Sequence, residues 1–391
     1  MKILKRRKIR IRPYHYNMVS SLNFIDKDVQ ALLLPLNLMQ NILGYPKYRI
    51  VNNVITPNSR FISLLSLCVT LLSISLFFYR SFHRIYTGKI NSNLAATSTS
   101  SLITDFVIPS FGVIITFWSC FFQSNCNILF VLKFLGIHRL LNDKGASKRF
   151  IVCNWIIFFS IFIYSILFIA LVNIQFRLPL YNIVCGFAAV CFDTDIIYAI
   201  RIIMLLKDKV VLWNIQVKNI RNMEDSEKKY YCQTFFQTYV GILDCYDIYR
   251  ICFQQQILFH YVHTLCISLS DVQGIVSSAR NYAEFISVTA KYLSSYTVWF
   301  LKKILLALLM SLEFEKFYEA LHDIQGTCRC MLISNCSEFE KRFSKNIIRL
   351  HQTRFDKMSV CRMFYVDAAL PLNIYILVTN YIVVLLQLTF S

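Results

Sequence analysis

Charge is scarce in this 391-residue chain: Asp, Glu, Lys and Arg make up 16% of it, against about a quarter in soluble domains. Acid is the scarcer sign, 22 residues against 41 Lys and Arg, for a formal net charge of +19. Glycine is sparse, at 9 residues, which excludes collagen-like and glycine-rich low-complexity sequence. No glycine-rich phosphate loop, GxSxG or HExxH occurs, so the common signatures of nucleotide binding, serine hydrolysis and zinc proteolysis are missing. The basic start, MKILKRRKIRIR, is not followed by the apolar core of a cleavable signal peptide. What is there is apolar: 56% hydrophobic residues, 33 Phe, and a mean hydropathy of +0.50. Disorder is excluded with that composition. The basic residues lie between long apolar runs rather than on a soluble scaffold, so the expected partner is the lipid bilayer and not nucleic acid.

A spanning helix needs ~20 mostly apolar residues. Seven stretches qualify: 61–79, 102–121, 151–173, 179–205, 257–277, 286–312 and about 363–391, the last interrupted by Pro371. An eighth run, 31–44, contains Pro35 and is too short to span, so it reads as a docked helix within a cytoplasmic segment 1–60. With the N-terminus inside, the inner segments 1–60, 122–150, 207–253 and 313–362 hold 32 Lys and Arg and the outer loops five. Cytoplasmic loops carry the positive excess. The expected architecture is therefore an all-α membrane protein of seven transmembrane helices, N-terminus cytoplasmic and C-terminus extracellular. The segment 313–362, with stretches such as LEFEKFYEALHDI, reads as a helical cytosolic anchor. This is the inverse of a G-protein-coupled receptor, and its short outer loops leave room for a ligand only between the helices.

The 14 cysteines lie in apolar runs or in expected cytosolic segments, so no disulfide is expected. Cys328-x-Cys330-x5-Cys336 has no second CxxC or His pair nearby, and reads as reduced thiols rather than a zinc site. His260-x-x-His263 places two imidazoles on one face of the fifth span. A catalytic zinc needs three protein ligands, and Asp105, Asp193 or Asp195 would have to supply the third. A seven-helix membrane zinc hydrolase is thus the alternative from another class; the leading expectation is no metal, no cofactor and no enzyme. Ionisable residues inside a membrane face an interior or a wet cavity and pair with one another. Asp193 and Asp195 on the fourth span are expected to meet Lys302 and Lys303 on the sixth, unless the lysines snorkel to the inner surface. Asp105, His263, Tyr292 and Tyr296 are candidates for a ligand pocket.

The end of the chain is the most specific stretch. Tyr381, five aliphatic residues and Gln387 resemble the final-helix signature of the insect gustatory receptors, Thr-Tyr, five hydrophobics, Gln-Phe. Asn380 stands in the place of Thr and Leu388 in the place of Phe. Phe364-x-x-Asp367 is similar to that family's lead-in to the helix. The resemblance implies a ligand-gated, non-selective cation channel in the plasma membrane of gustatory receptor neurons. It implies a homo- or hetero-tetramer with other gustatory receptor subunits, a tastant more often bitter than sugar, and a last helix lining the pore. The sister family of odorant receptors, or an auxiliary subunit, is a further alternative. Independently, Asn380, Val384, Gln387 and Ser391 share one helical face, a polar stripe with an aliphatic ring that suits a wet pore. Asn380, Tyr381, Val384, Gln387 and Leu388 are the pore and gate candidates.

The loop asymmetry makes a topology prediction. Tags at the N-terminus and in 122–150 should bind antibody only after permeabilisation, and a tag after Ser391 should bind on intact cells. An N-terminus reachable on intact cells would overturn the span count.

Overall fold

The computed structural model describes residues 24–90, 102–176, 179–220, 225–279, 282–334 and 337–390. Ten α-helices account for nearly all of them: α1 Lys27–Ile42, α2 Arg60–Ile90, α3 Ile108–Phe121, α4 Ser124–Leu140, α5 Lys144–Phe176, α6 Leu180–Asn219, α7 Asp225–Ala279, α8 Tyr282–Ile333, α9 Glu338–Arg354 and α10 Leu370–Phe390. A π-turn, Ile103–Val107, leads into α3, and two antiparallel hairpins, β1 Arg49–Val51 with β2 Val54–Thr56 and β3 Ser359–Val360 with β4 Phe364–Tyr365, join helices.

The two longest helices set the plan. α7 has 55 residues and α8 has 52, about 80 Å each at 1.5 Å per residue, where the hydrocarbon core of a bilayer is about 30 Å thick. Each carries an apolar half and a mixed-charge half, and the mixed halves pack with the end of α6 and with α4 and α9. The core there is aromatic. Trp213 is fully buried, within ring contact of Phe235, Tyr239 and Phe343, and its indole N–H donates to the Phe235 carbonyl at 2.9 Å. Ion pairs tie the rim: Arg354 of α9 reaches Asp247 at 2.9 Å and also Asp244, which Lys133 of α4 meets at 3.0 Å. Lys207 of α6 meets Glu313 of α8 at 3.1 Å. α9 starts on a capping box: the Ser337 hydroxyl accepts from Glu340 N–H and the Glu340 carboxylate accepts from Ser337 N–H.

The other end of the bundle turns its apolar side chains outward. α2 exposes Leu64, Leu65, Leu71 and Leu72, and α5 exposes Val152, Ile156, Ile163 and Leu167. Water does not tolerate such surfaces on this scale; lipid does. By length and composition, four helical segments among the described residues can cross a membrane: Arg60–Tyr86, Ile103–Phe121, Lys144–Gln175 and Leu180–Asn219. Leu370–Val384 is a shorter apolar helix.

Several boundaries differ from the sequence expectation. The segment 122–150, expected as a loop, is mostly helix, and 207–253, whose helix-like stretches read as cytosolic extensions of the spans, is mostly helix as well, because α4 and the charged half of α7 bury aromatic faces against the bundle. Residues 364–365, expected in the last span, pair with 359–360 instead, and Pro371 sits in the first turn of α10, where its missing N–H costs nothing, rather than breaking the helix. The Asp367 carboxylate caps that turn, accepting from the N–H groups of Ala369 and Leu370 at 3.1 and 3.2 Å.

α1 docks on α5 and α6 through Val29, Leu32, Leu33, Leu36 and Met39, a stripe of helical spacing. It ends at Gly44, whose φ of +83° closes the turn: Tyr45 N–H bonds the Gln40 carbonyl and Gly44 N–H the Asn41 carbonyl. Asp26, just before α1, takes a two-pronged bond from Arg139 of α4 at 2.9 Å.

Two histidines make acid a destabilising condition. Burial pushes His138 on α4 and His351 on α9 down to about 4, and the neutral His351 ring shares a hydrogen bond through Nδ1 with the Tyr239 hydroxyl at 2.6 Å. Both rings fold neutral and gain protons more readily unfolded. Their contribution is full above the ordinary pKa of 6.5 and is lost as pH falls toward 4. The apparent melting temperature in detergent should therefore fall between pH 7 and pH 5, and His351→Gln should flatten that slope. Trp213→Ala should cost about 3–5 kcal/mol and lower the melting temperature at every pH.

Candidate functional site

Four helices bring ionisable and aromatic side chains together inside the apolar half of the bundle. Asp193 on α6 is buried and bonded to two lysines of α8: Lys303 Nζ donates to Oδ1 at 2.6 Å, and Lys302 Nζ lies 2.7 Å from Oδ2. Lys303 is almost fully buried, while Lys302 keeps 21% of its side chain exposed. Both ammoniums lie near the Trp299 ring, 4.9 Å for Lys303 and 5.5 Å for Lys302, and Lys302 is 5.4 Å from the Tyr164 ring of α5. Such placement offsets part of the cost of burying the charge.

The α7 histidines sit beside this cluster. His263 stacks on Phe259 at 5.2 Å and meets Phe192 and Trp299 edge-on at 5.6 and 5.8 Å. His260 feels the charges of Lys303, Asp193 and Lys302. Phe192 and Phe259 themselves meet at 4.9 Å and close over Gly112 of α3, where a Cβ would collide with both rings. The glycine is thus what lets α3 approach this aromatic wall. No group of three His, Cys, Asp or Glu side chains that could hold a metal is found among the described residues.

The remaining candidates go to different places. Asp195, two residues from Asp193, points elsewhere and does not join the lysines of α8: Thr116 donates to it at 2.8 Å, and Lys47 lies 3.6 Å away. Lys47 is fully buried, over the rings of Tyr198 and Phe253 at 4.6 and 4.7 Å. The loop GYPKYR that carries it gives no apolar signal, so its buried role was not legible from pattern. A two-residue step on a helix turns about 200°, which is why neighbouring aspartates serve opposite sides of α6. Asp105, expected at a pocket, is paired with Arg80 at 3.4 Å and with Arg84, both on α2. The side chains of Tyr292 and Tyr296 lie outside the described residues.

α10 leans on α7 and α8 through a narrow contact. Leu370 and Val378 are buried, and Ile374 packs against the core. Asn373, Leu377, Asn380, Val384 and Gln387 are all exposed, at successive spacings of four, three, four and three. They form one stripe along the helix with an amide at every seventh position. Tyr381 is half-buried, and the side chain of Leu388 lies outside the described residues.

A bundle of apolar, outward-facing helices with ionic side chains held in its interior defines a multi-pass helical membrane protein. The family model described as 7tm Chemosensory receptor matches residues 44–390, almost the whole chain, and the chain belongs to that family. A comparison with curated proteins found no match.

The Lys47–Asp195 pair supplies a stability test. Lys47→Met leaves a buried carboxylate without its cation and should cost about 3–5 kcal/mol. The double change Lys47→Met with Asp195→Asn should recover most of that loss, read as the apparent melting temperature in detergent. Additive losses would show that the two groups do not act as a pair.

Proposed function

We propose that this chemosensory receptor is a gustatory receptor that is itself a ligand-gated, non-selective cation channel, and not an enzyme. It takes a small-molecule tastant, bitter rather than sugar, in a site between the helices. It works as a homo- or hetero-tetramer in the plasma membrane of gustatory receptor neurons, seven helices crossing with the N-terminus inside. The exposed stripe of α10 carries this reading. A helix with an amide every seventh residue and aliphatic residues between has no reason to face lipid, where each amide needs a partner. Four copies around an axis give each amide a neighbour and give passing cations a hydrated wall. Val384 and Leu388 are then the apolar ring that dewets in the closed state, and Gln387 is a polar ring toward the outer side.

The mixed-charge half of the bundle, with the segment 313–362, holds the subunits together in this reading. Deletion of 325–345 should abolish oligomers on a native gel while leaving monomer. An intact oligomer would move the interface into the membrane.

Cysteine accessibility in a functional assembly tests the pore. Cysteines at Asn380, Val384 and Gln387 should react with water-soluble thiol reagents in a ligand-dependent way, and those at Ile382 and Leu386 much less. Gln387→Ala should change conductance with surface expression retained, and Leu388→Ala should leak current without ligand. Equal reactivity around the helix would assign the ion path to another helix.

A further inference from the structure

The cluster at Asp193 is electrically unbalanced. Two ammoniums, Lys302 and Lys303, share one carboxylate, and the other acid of α6, Asp195, is engaged by Lys47 and Thr116 on a different side of the helix. Among the described residues the buried set therefore carries a surplus of one positive charge. An apolar interior does not hold such a surplus without an anion or water at hand. The surroundings also hold unused hydrogen-bonding capacity. Among the described residues the buried Tyr164 hydroxyl meets no partner, and His260, 2% exposed, has the Lys303 backbone at most for its ring nitrogens. Lys302, the partly exposed member, lies between the Tyr164 ring and Trp299, so it is the ammonium a second anion reaches. The rings beside it are those of Trp299 and Tyr164, and His263 links Trp299 to the buried Phe192 and Phe259.

We propose that this cluster is a binding site for a small organic acid, a monocarboxylate with an apolar body. Its carboxylate bonds Lys302 and takes a proton donor from Tyr164 or His260, completing a set of two cations and two anions. Its apolar part lies against the rings of Trp299 and Tyr164. An inorganic anion would satisfy the charge and leave those rings unused. Calling this acid a tastant rests on the receptor reading; the site itself does not.

The test is direct binding to the purified full-length chain in detergent, by calorimetry and thermal shift. The probes are acetate, hexanoate and benzoate, each beside its neutral amide, in a chloride-free buffer and again with added sodium chloride. The expected result is that hexanoate or benzoate binds and raises the melting temperature, and the matching amide does not. Lys302→Gln leaves Lys303 paired one-to-one with Asp193, so it should fold with its melting temperature kept. It should bind the acid about tenfold or more weakly, the loss expected for one charge-assisted hydrogen bond, while Lys302→Arg should keep the binding. Several results would overturn the site: no acid binds, amide and acid bind alike, Lys302→Gln binds the acid unchanged, or chloride displaces the acid at equal concentration. Channel responses to neutral tastants in the Lys302→Gln protein would leave the receptor reading standing whatever the binding experiment returns.

Discussion

The bundle is governed by a mismatch of length. α7 and α8 are each more than twice as long as the hydrocarbon core of a bilayer is thick, so neither helix has one solvent along its whole length. One half must be apolar on its outer face, and the other must hold an aromatic interior under a charged rim. The two halves obey different rules. In water, burial of Trp213, Tyr239 and Phe343 supplies the driving force. In lipid there is no such force between helices, and packing and polar pairs such as Asp193 with Lys302 and Lys303 take over.

The coarse plan was legible because lipid leaves a simple mark. Runs such as 61–79 and 151–173 need no context to be read, and of the four long apolar segments those of α2 and α5 are the least buried in the bundle. Boundaries were less legible. The charged half of α7 has a helical pattern but no hydropathy signal, so a reading based on apolar length began the helix about thirty residues too late in the chain. The hairpin Ser359–Tyr365 escaped for another reason: its turn uses Cys361 and Arg362 at positive φ, residues that carry none of the glycine or asparagine signal of such turns.

At the site, the pairing of Asp193 with the α8 lysines follows from the high cost of lone charges in an apolar interior, and is legible in the charge spacing along the spans. The partner of Asp195 was not accessible that way. Lys47 reaches it from a connecting loop, by way of the Gly44 turn, and no periodicity links a loop to a helix about 150 residues on. The lead-in motif Phe364-x-x-Asp367 shows the converse, a sequence resemblance with a local physical reason. Asp367 caps α10, Phe364 meets Tyr261 of α7 edge-on at 5.7 Å, and Tyr318 of α8 bonds both strands' ends, donating to Val366 and accepting from Met358. The last helix is thereby fastened at its base to the two longest ones.

That fastening fixes where α10 starts but leaves its azimuth lightly held. Beyond Leu370, Val378 is the described side chain of α10 that is buried, so the helix is an axle clamped at one end. Successive residues on it are about 100° apart. A turn through that angle would carry Ile374, Val378 and Tyr381 to the bearing now held by Asn373, Leu377 and Asn380, replacing amides with aliphatic and phenolic side chains. The difference between a wettable and an unwettable stripe is thus an angle, and a small torque applied at the Asp367 end is transmitted along the whole helix.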